Sequence, residues 1–164
     1  MKKLAIVYYS LSGNTDFVAK EISKNLEVDL IRLIPKKEYP NSGFKKFFWG
    51  GKSAVMKETP ELEEYKFDSD KYDNIIIGTP VWASTFTPPI RTFIKDNKDK
   101  LKDKNISIFI SCGGTGNEKT IEKIKNYLGI ENIRYELILI DPKDKYSELI
   151  KDRIKEFCNK IKEG

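Results

Sequence analysis

Histidine is absent from all 164 residues. That gap excludes imidazole acid–base catalysis, Ser-His-Asp chemistry and histidine-ligated metals. Cysteine is nearly absent too: Cys112 and Cys158 stand far apart, with no CxxC and no metal-ligand spacing. Two such thiols point to a reducing cytoplasm rather than a disulfide framework, and no metal site is expected. No apolar run approaches the roughly 20 residues of a membrane helix, so no membrane insertion is expected. The start, MKKLAIVYYSLSG, imitates a secretion signal, but its apolar run is only Leu4 to Tyr9 and no small-residue cleavage site follows. It is assigned as a first strand. A further absence is local. The stretch IVYYSLSGNT, Ile6 to Thr15, has no charge, in a chain with 30 Lys and Arg.

Apolar residues make up 39% and charged residues 34%, which suits one globular domain over residues 1–164 with a hydrated surface. No repeat or linker divides it. Short β-rich runs occupy Leu4 to Tyr9 and Val28 to Ile34, and others begin at Asn74 (NIIIGTP), Asn105 (NISIFISC) and Arg134 (RYELILI). Segments with helical spacing separate them: Phe17, Ile22 and Leu26; Ile90, Phe93 and Ile94; Ile121, Ile124 and Leu128. The last such segment holds Leu149, Ile150, Ile154, Phe157, Cys158 and Ile161. Strands alternating with helices mean parallel pairing through right-handed crossovers, hence an α/β doubly wound five-stranded parallel sheet. The span from Ile34 to Ile75 is too long for a plain loop. Within it, GFKKFFWGGKSAVM predicts a helix with Phe44, Phe47, Phe48 and Val55 on one face. Gly50 and Gly51 weaken that helix and mark a tight contact or a break. Lys57 to Asp70 is expected to be irregular.

Three loops follow strands one, three and four. In the first, Ser10, Ser12, Thr15 and Asn14 supply neutral donors, Leu11 lies among them, and Gly13 lets the backbone approach a ligand. The helix starting near Asn14 adds free N–H groups, so the loop is suited to a phosphate. It is not a Walker loop, because GxxxxGK[ST] is missing. An ordinary N-cap would need only one such residue. The second loop runs through Pro80, Val81, Trp82, Ala83, Ser84, Thr85 and Phe86, small and aromatic residues suited to a flat ring. Pro88 and Pro89 then open a helix. The third loop follows Cys112 with Gly113, Gly114, Thr115 and Gly116; its GGTG does not complete GxGxxG. All three open at the carboxyl edge of the sheet, where doubly wound folds bind ligands.

At these residues the chain resembles the flavodoxin-like family. YYSLSGNT is similar to the family's FMN phosphate loop, S/T-x-S/T-G-x-T. GTPVWASTFTPPIRTFI resembles the ring loop of its short-chain bacterial and archaeal members, and GFKKFFWGGKSAVM their segment between strands two and three. The resemblance implies strand order 2-1-3-4-5 and non-covalent FMN held by the three loops named above. It implies an electron carrier between redox partner proteins, with no catalytic side chain. The alternative on the same fold is an NAD(P)H-dependent FMN or quinone reductase. Several relatives have glycine where Ser84 stands, which eases a peptide flip toward the ring.

Other residues have two readings each. Trp82 and Phe86 are expected as ring neighbours rather than plain core aromatics, whereas Trp49 is expected in the core. Cys112 is expected as a small thiol lining the ligand loop. Arg91 either reaches the cofactor or forms a surface ion pair. Net charge is +5, unlike the strongly acidic carriers of the family, so any partner docking would be reversed in sign or weak. No nucleic-acid motif appears, and mixed-sign charge makes a poor phosphate-tracking stripe, so no nucleic-acid partner is expected. The oligomeric state is open.

Overall fold

The computed structural model describes residues 3–164, without the side-chain surroundings of residues 43, 44, 47 and 48. Five parallel strands, β1 (Leu4–Tyr8), β2 (Asp29–Arg32), β3 (Asn74–Pro80), β4 (Asn105–Cys112) and β5 (Glu136–Ile140), lie in the order β2-β1-β3-β4-β5. Helices α1 (Asn14–Ser23), α2 (Gly43–Val55), α3 (Pro88–Leu101), α4 (Asn117–Leu128) and α5 (Glu148–Glu163) connect and follow them. This is the doubly wound sheet and the order that the sequence implied.

The alternation along β1 divides the core. Leu4, Ile6 and Tyr8 face α1 and α5, where Val18, Ile22, Ile154 and Phe157 cover them. Ala5, Val7 and Tyr9 face the other way, onto a cluster with Ile90, Phe93, Ile94 and Ile124 of α3 and α4. Each strand side chain points opposite to the next, so one run serves both layers. Gly78 of β3 is opposite Phe109 of β4, and a Cβ on Gly78 would lie 2.2 Å from the Phe109 ring. Glycine there makes room for the ring that fills the adjacent layer.

The structure corrects several expectations. The edge strand β2 is only Asp29–Arg32, so Val28, Leu33 and Ile34 flank it, and β5 begins at Glu136, after Arg134 and Tyr135. Val55 is 64% exposed and Leu149 69% exposed, so neither joins its expected core face. Leu149 and Ile150 are adjacent on α5 and cannot both face the sheet; Ile150 does. Phe44, Phe47 and Phe48 are outside the described side chains. Trp49, expected in the core, is 47% exposed. Among the described residues no helix is long and apolar enough to cross a membrane.

Candidate functional site

The carboxyl ends of β1, β3, β4 and β5 surround a cavity of about 380 Å³. Its wall is formed by Ser10, Leu11, Ser12, Asn14 and Thr15 after β1 and by Pro80, Val81, Trp82 and Ala83 after β3. Ser111, Cys112 and Gly113 of β4 and its loop complete much of the rest. Three segments far apart in sequence thus meet at one place because parallel strands end on one edge.

The first loop retains its donors. Gly13 occupies the N-cap position of α1 with φ 98°, and no side chain caps the helix. The N–H groups of the first turn are therefore left to a ligand. The Asn14 Oδ1 accepts the Lys143 N–H at 3.0 Å, which ties this loop to the one after β5. Thr15 Oγ1 and Ser111 Oγ are 2.7 Å apart and buried. Only one hydrogen can lie between those two oxygens, which leaves the second hydroxyl hydrogen for another acceptor. The Ser10 hydroxyl is buried and has no partner among the described residues.

The second loop is a two-residue turn. Trp82 and Thr85 exchange backbone hydrogen bonds, 3.0 Å from Trp82 N–H and 3.1 Å from Thr85 N–H. Between them Ala83 and Ser84 take φ of 50° and 57°, the conformation of a type I′ hairpin turn. Neither is glycine, so each costs about 1–2 kcal/mol relative to right-handed backbone. Two contacts hold the turn. Lys123 of α4 donates to the Ser84 carbonyl at 2.9 Å. Gly116 packs so closely that its Cβ would lie 2.8 Å from Ser84 Oγ and 3.0 Å from Ser84 Cα. Trp82 is fixed edge-on by Tyr9 and Tyr39, with ring centroids 5.7 and 5.2 Å away. Behind it is Gly50, whose Cβ would be 3.3 Å from the indole. Gly50 of the glycine pair thus makes a close contact, whereas a Cβ on Gly51 would meet nothing within 4 Å, and α2 contributes Lys46 and Gly51 to the cavity wall.

Some expected residues are elsewhere. Phe86 is 1% exposed and does not line the cavity. Its ring is covered by the Arg91 guanidinium at 4.2 Å, which also lies 4.7 Å from the Tyr127 ring. Among the described residues Arg91 therefore forms neither a surface ion pair nor a wall of the cavity; it is 7% exposed. Thr85 is buried, and Gly114, Thr115 and Gly116 lie beyond the wall. Gly13 and Ser84 shape loops without lining it. Cys112 does line it; burial pushes its thiol pKa up, and Sγ donates to the Leu139 carbonyl at 3.7 Å.

The pattern of flavodoxin matches residues 2–161 of the chain. This chain belongs to the flavodoxin family. A flavoprotein from Lactobacillus acidophilus, solved in complex with FMN, is similar over 88% of this chain and 96% of its own, with 23% identity and a TM-score of 0.73. A Bacteroides eggerthii structure described as a flavoprotein aligns over 96% and 98%, with 21% identity and a TM-score of 0.75. The two-electron reduced flavodoxin of Megasphaera elsdenii aligns over 96% and 99%, with 19% identity and a TM-score of 0.57. At these identities the three structures establish the fold alone.

The loop after β5 also reaches the cavity, with Asp141 and Asp144, which sequence reasoning missed. Asp141 has φ 41°, and its N–H donates to the Cys112 carbonyl at 3.0 Å. The available signal was DPKDK at the carboxyl end of a fifth parallel strand. Lys46 and Gly51 were missed because nothing local ties α2 to the strand ends.

Proposed function

We propose that the chain binds FMN non-covalently in this cavity and carries electrons between partner proteins. The observation that carries the reading is the leftover donor set of the first loop: the Ser10 hydroxyl, the spare hydrogen of the Thr15–Ser111 pair and the uncapped start of α1. Buried donors are normally satisfied, so an orphaned hydroxyl beside a spare hydroxyl hydrogen and an uncapped helix start fits a multivalent anion. Phosphate meets that description, and 380 Å³ is within the range of small-ligand sites.

Residues 10–15 hold the phosphate, and Trp82, braced by Tyr9, Tyr39 and Gly50, flanks the ring. The hairpin at Ala83 and Ser84 is preset by Lys123 and Gly116, so little ordering remains at binding. Burial pushes the Cys112 thiol pKa up, which disfavours the reactive thiolate. Bound FMN supplies that chemistry by accepting and releasing electrons at its ring.

The test is to load purified protein with FMN and add NADPH without oxygen. A carrier stays yellow until a partner protein reduces it. Rapid bleaching by NADPH overturns the carrier reading in favour of an NAD(P)H-dependent reductase, and failure to take up FMN overturns both.

A further inference from the structure

We propose that the outward face of α2 is a docking surface for an acidic electron-transfer protein. The inference rests on the electron-carrier reading. Between Tyr39 and Lys57 there are four lysines, Lys45, Lys46, Lys52 and Lys57, and no Asp or Glu. That segment alone holds four of the chain's five excess positive charges. Elsewhere acids and bases are interspersed, so this is where the sign of the surface is least mixed.

The charge surrounds apolar groups. Lys45, Trp49, Lys52 and Met56 follow at steps of four, three and four, which aligns them along one stripe of the helix. Trp49 is 47% exposed, Met56 63% and Val55, beside them, 64%. Lys52 Nζ sits 5.2 Å from the Trp49 ring centroid. An exposed tryptophan and methionine rimmed by cations is the make-up of an interface centre, and tryptophan is enriched among residues that dominate binding.

The position of the helix makes the surface useful. Its opposite side lies against the site: Gly50 touches Trp82, and Lys46 and Gly51 line the cavity. A partner seated on α2 is thus about one helix diameter, roughly 10 Å, from the cavity. The loop after β5 also lines the cavity, but its Asp141 is paired with Lys145 at 2.8 Å and its DPKDK run has no net charge, so the cationic excess beside the cavity is on α2. An anionic membrane shares the required charge. The inner side of α2 is already committed, with Ser53 and Ala54 buried, so the helix is not free to roll and sink into a lipid surface.

The test uses a [2Fe–2S] ferredoxin of net negative charge as the probe, with binding measured by calorimetry on both flavin-free and FMN-loaded protein. The K45E/K52E double variant should lose about tenfold or more in affinity at low salt. That difference should shrink at about 0.5 M salt, where screening shortens to roughly 4 Å. W49A should lose affinity at both salts. K155E/K162E, an equal reversal on exposed lysines of α5, should bind as the parent does. Reduction of the bound flavin by the reduced ferredoxin, one electron per cluster, should slow in the same order. Equal binding by parent and K45E/K52E, no binding by the parent, or capture by anionic phospholipid vesicles in place of ferredoxin would each overturn the proposal. Binding by the flavin-free chain is read without FMN, so failure of FMN uptake would sink the carrier reading separately.

Discussion

Replacing Ser10 by alanine should strengthen the empty protein and weaken its hold on FMN. The Ser10 hydroxyl is buried, at 5% residue exposure, and has no partner among the described residues. Such a group has lost its water without gaining a hydrogen bond, at a cost of about 1–3 kcal/mol. Alanine removes the oxygen and leaves only a small void, so the flavin-free chain should gain about 1 kcal/mol in urea unfolding. For a domain of this size that raises Tm by about 2–4 °C. The same change deletes a donor to phosphate, and FMN affinity should fall by about 1–3 kcal/mol, or roughly fivefold to a hundredfold. Thr15→Ala is the contrasting case. It breaks the 2.7 Å pair and strands Ser111 Oγ, which is 3% exposed, so it should weaken both the empty protein and FMN binding. Fluorescence titration of FMN and urea melts of flavin-free protein read the two effects separately. A destabilised Ser10→Ala chain would show that the hydroxyl has a partner in the fold. Unchanged FMN affinity in both variants would refute the phosphate assignment.

Gly78→Ala should unfold the chain at moderate temperature, costing about 3 kcal/mol or more, because its Cβ would sit 2.2 Å from Phe109; a melt within a few degrees of the parent contradicts that packing. Lys123→Ala frees the Ser84 carbonyl and should speed amide exchange at Thr85 about fivefold, whereas Ser84→Gly should stabilise the chain by about 0.5–1 kcal/mol by relieving its positive φ. Slower exchange in the first or a less stable second variant would refute the strained-turn account. Tyr72 donates to Asp29 at 2.7 Å, and burial, aided by that carboxylate, pushes its pKa up to about 12. The neutral phenol is favoured in the folded state, so its contribution is intact below about pH 10 and is lost as pH rises through about 12. Urea stability should fall across that window, less steeply in Tyr72→Phe, and an equal slope in both would show that Tyr72 is not the group responsible.

The central strands were legible because Ile75, Ile76 and Ile77, or Ile108, Phe109 and Ile110, are buried on both faces and form unbroken apolar runs. The edge strands were less so: flanking apolar residues such as Val28 and Ile34 extend the pattern past the hydrogen bonding. The α2 helix misled for a different reason. Its inner side uses Gly50, Ser53 and Ala54, small residues that allow close approach, while Val55 and Trp49 point outward. Hydrophobic periodicity weights large side chains and so passes over these small ones; of the expected face only Val55 lies within the described side chains. The first loop was legible as a donor cluster because Ser10, Ser12, Asn14 and Thr15 lie within six residues of one another. Phe86 was misassigned because proximity in sequence to Trp82 says nothing about side: the turn at Ala83 and Ser84 reverses the chain, and Phe86 returns to the core under Arg91.

The uncharged first loop does not lie in an uncharged place. Arg32, at the end of β2, donates to the Ser10 carbonyl at 3.3 Å and lies 3.4 Å from Asp16. Lys143 reaches over Gly13, where a Cβ would meet its Nζ at 3.3 Å. Lys46 lines the same cavity, with Asp141 and Asp144 also on its wall. These charges come from four elements, so no window along the chain could reveal them. Their effect is nevertheless limited. Arg32 is partly matched by Asp16, Lys143 is exposed, and charges facing water are screened over about 8 Å at physiological salt. The Ser10 and Thr15 hydroxyls are buried, where salt does not reach and a hydrogen bond to an anion counts for more. Anion affinity in such a site is expected to depend on the buried donors and to be only trimmed by the surrounding cations.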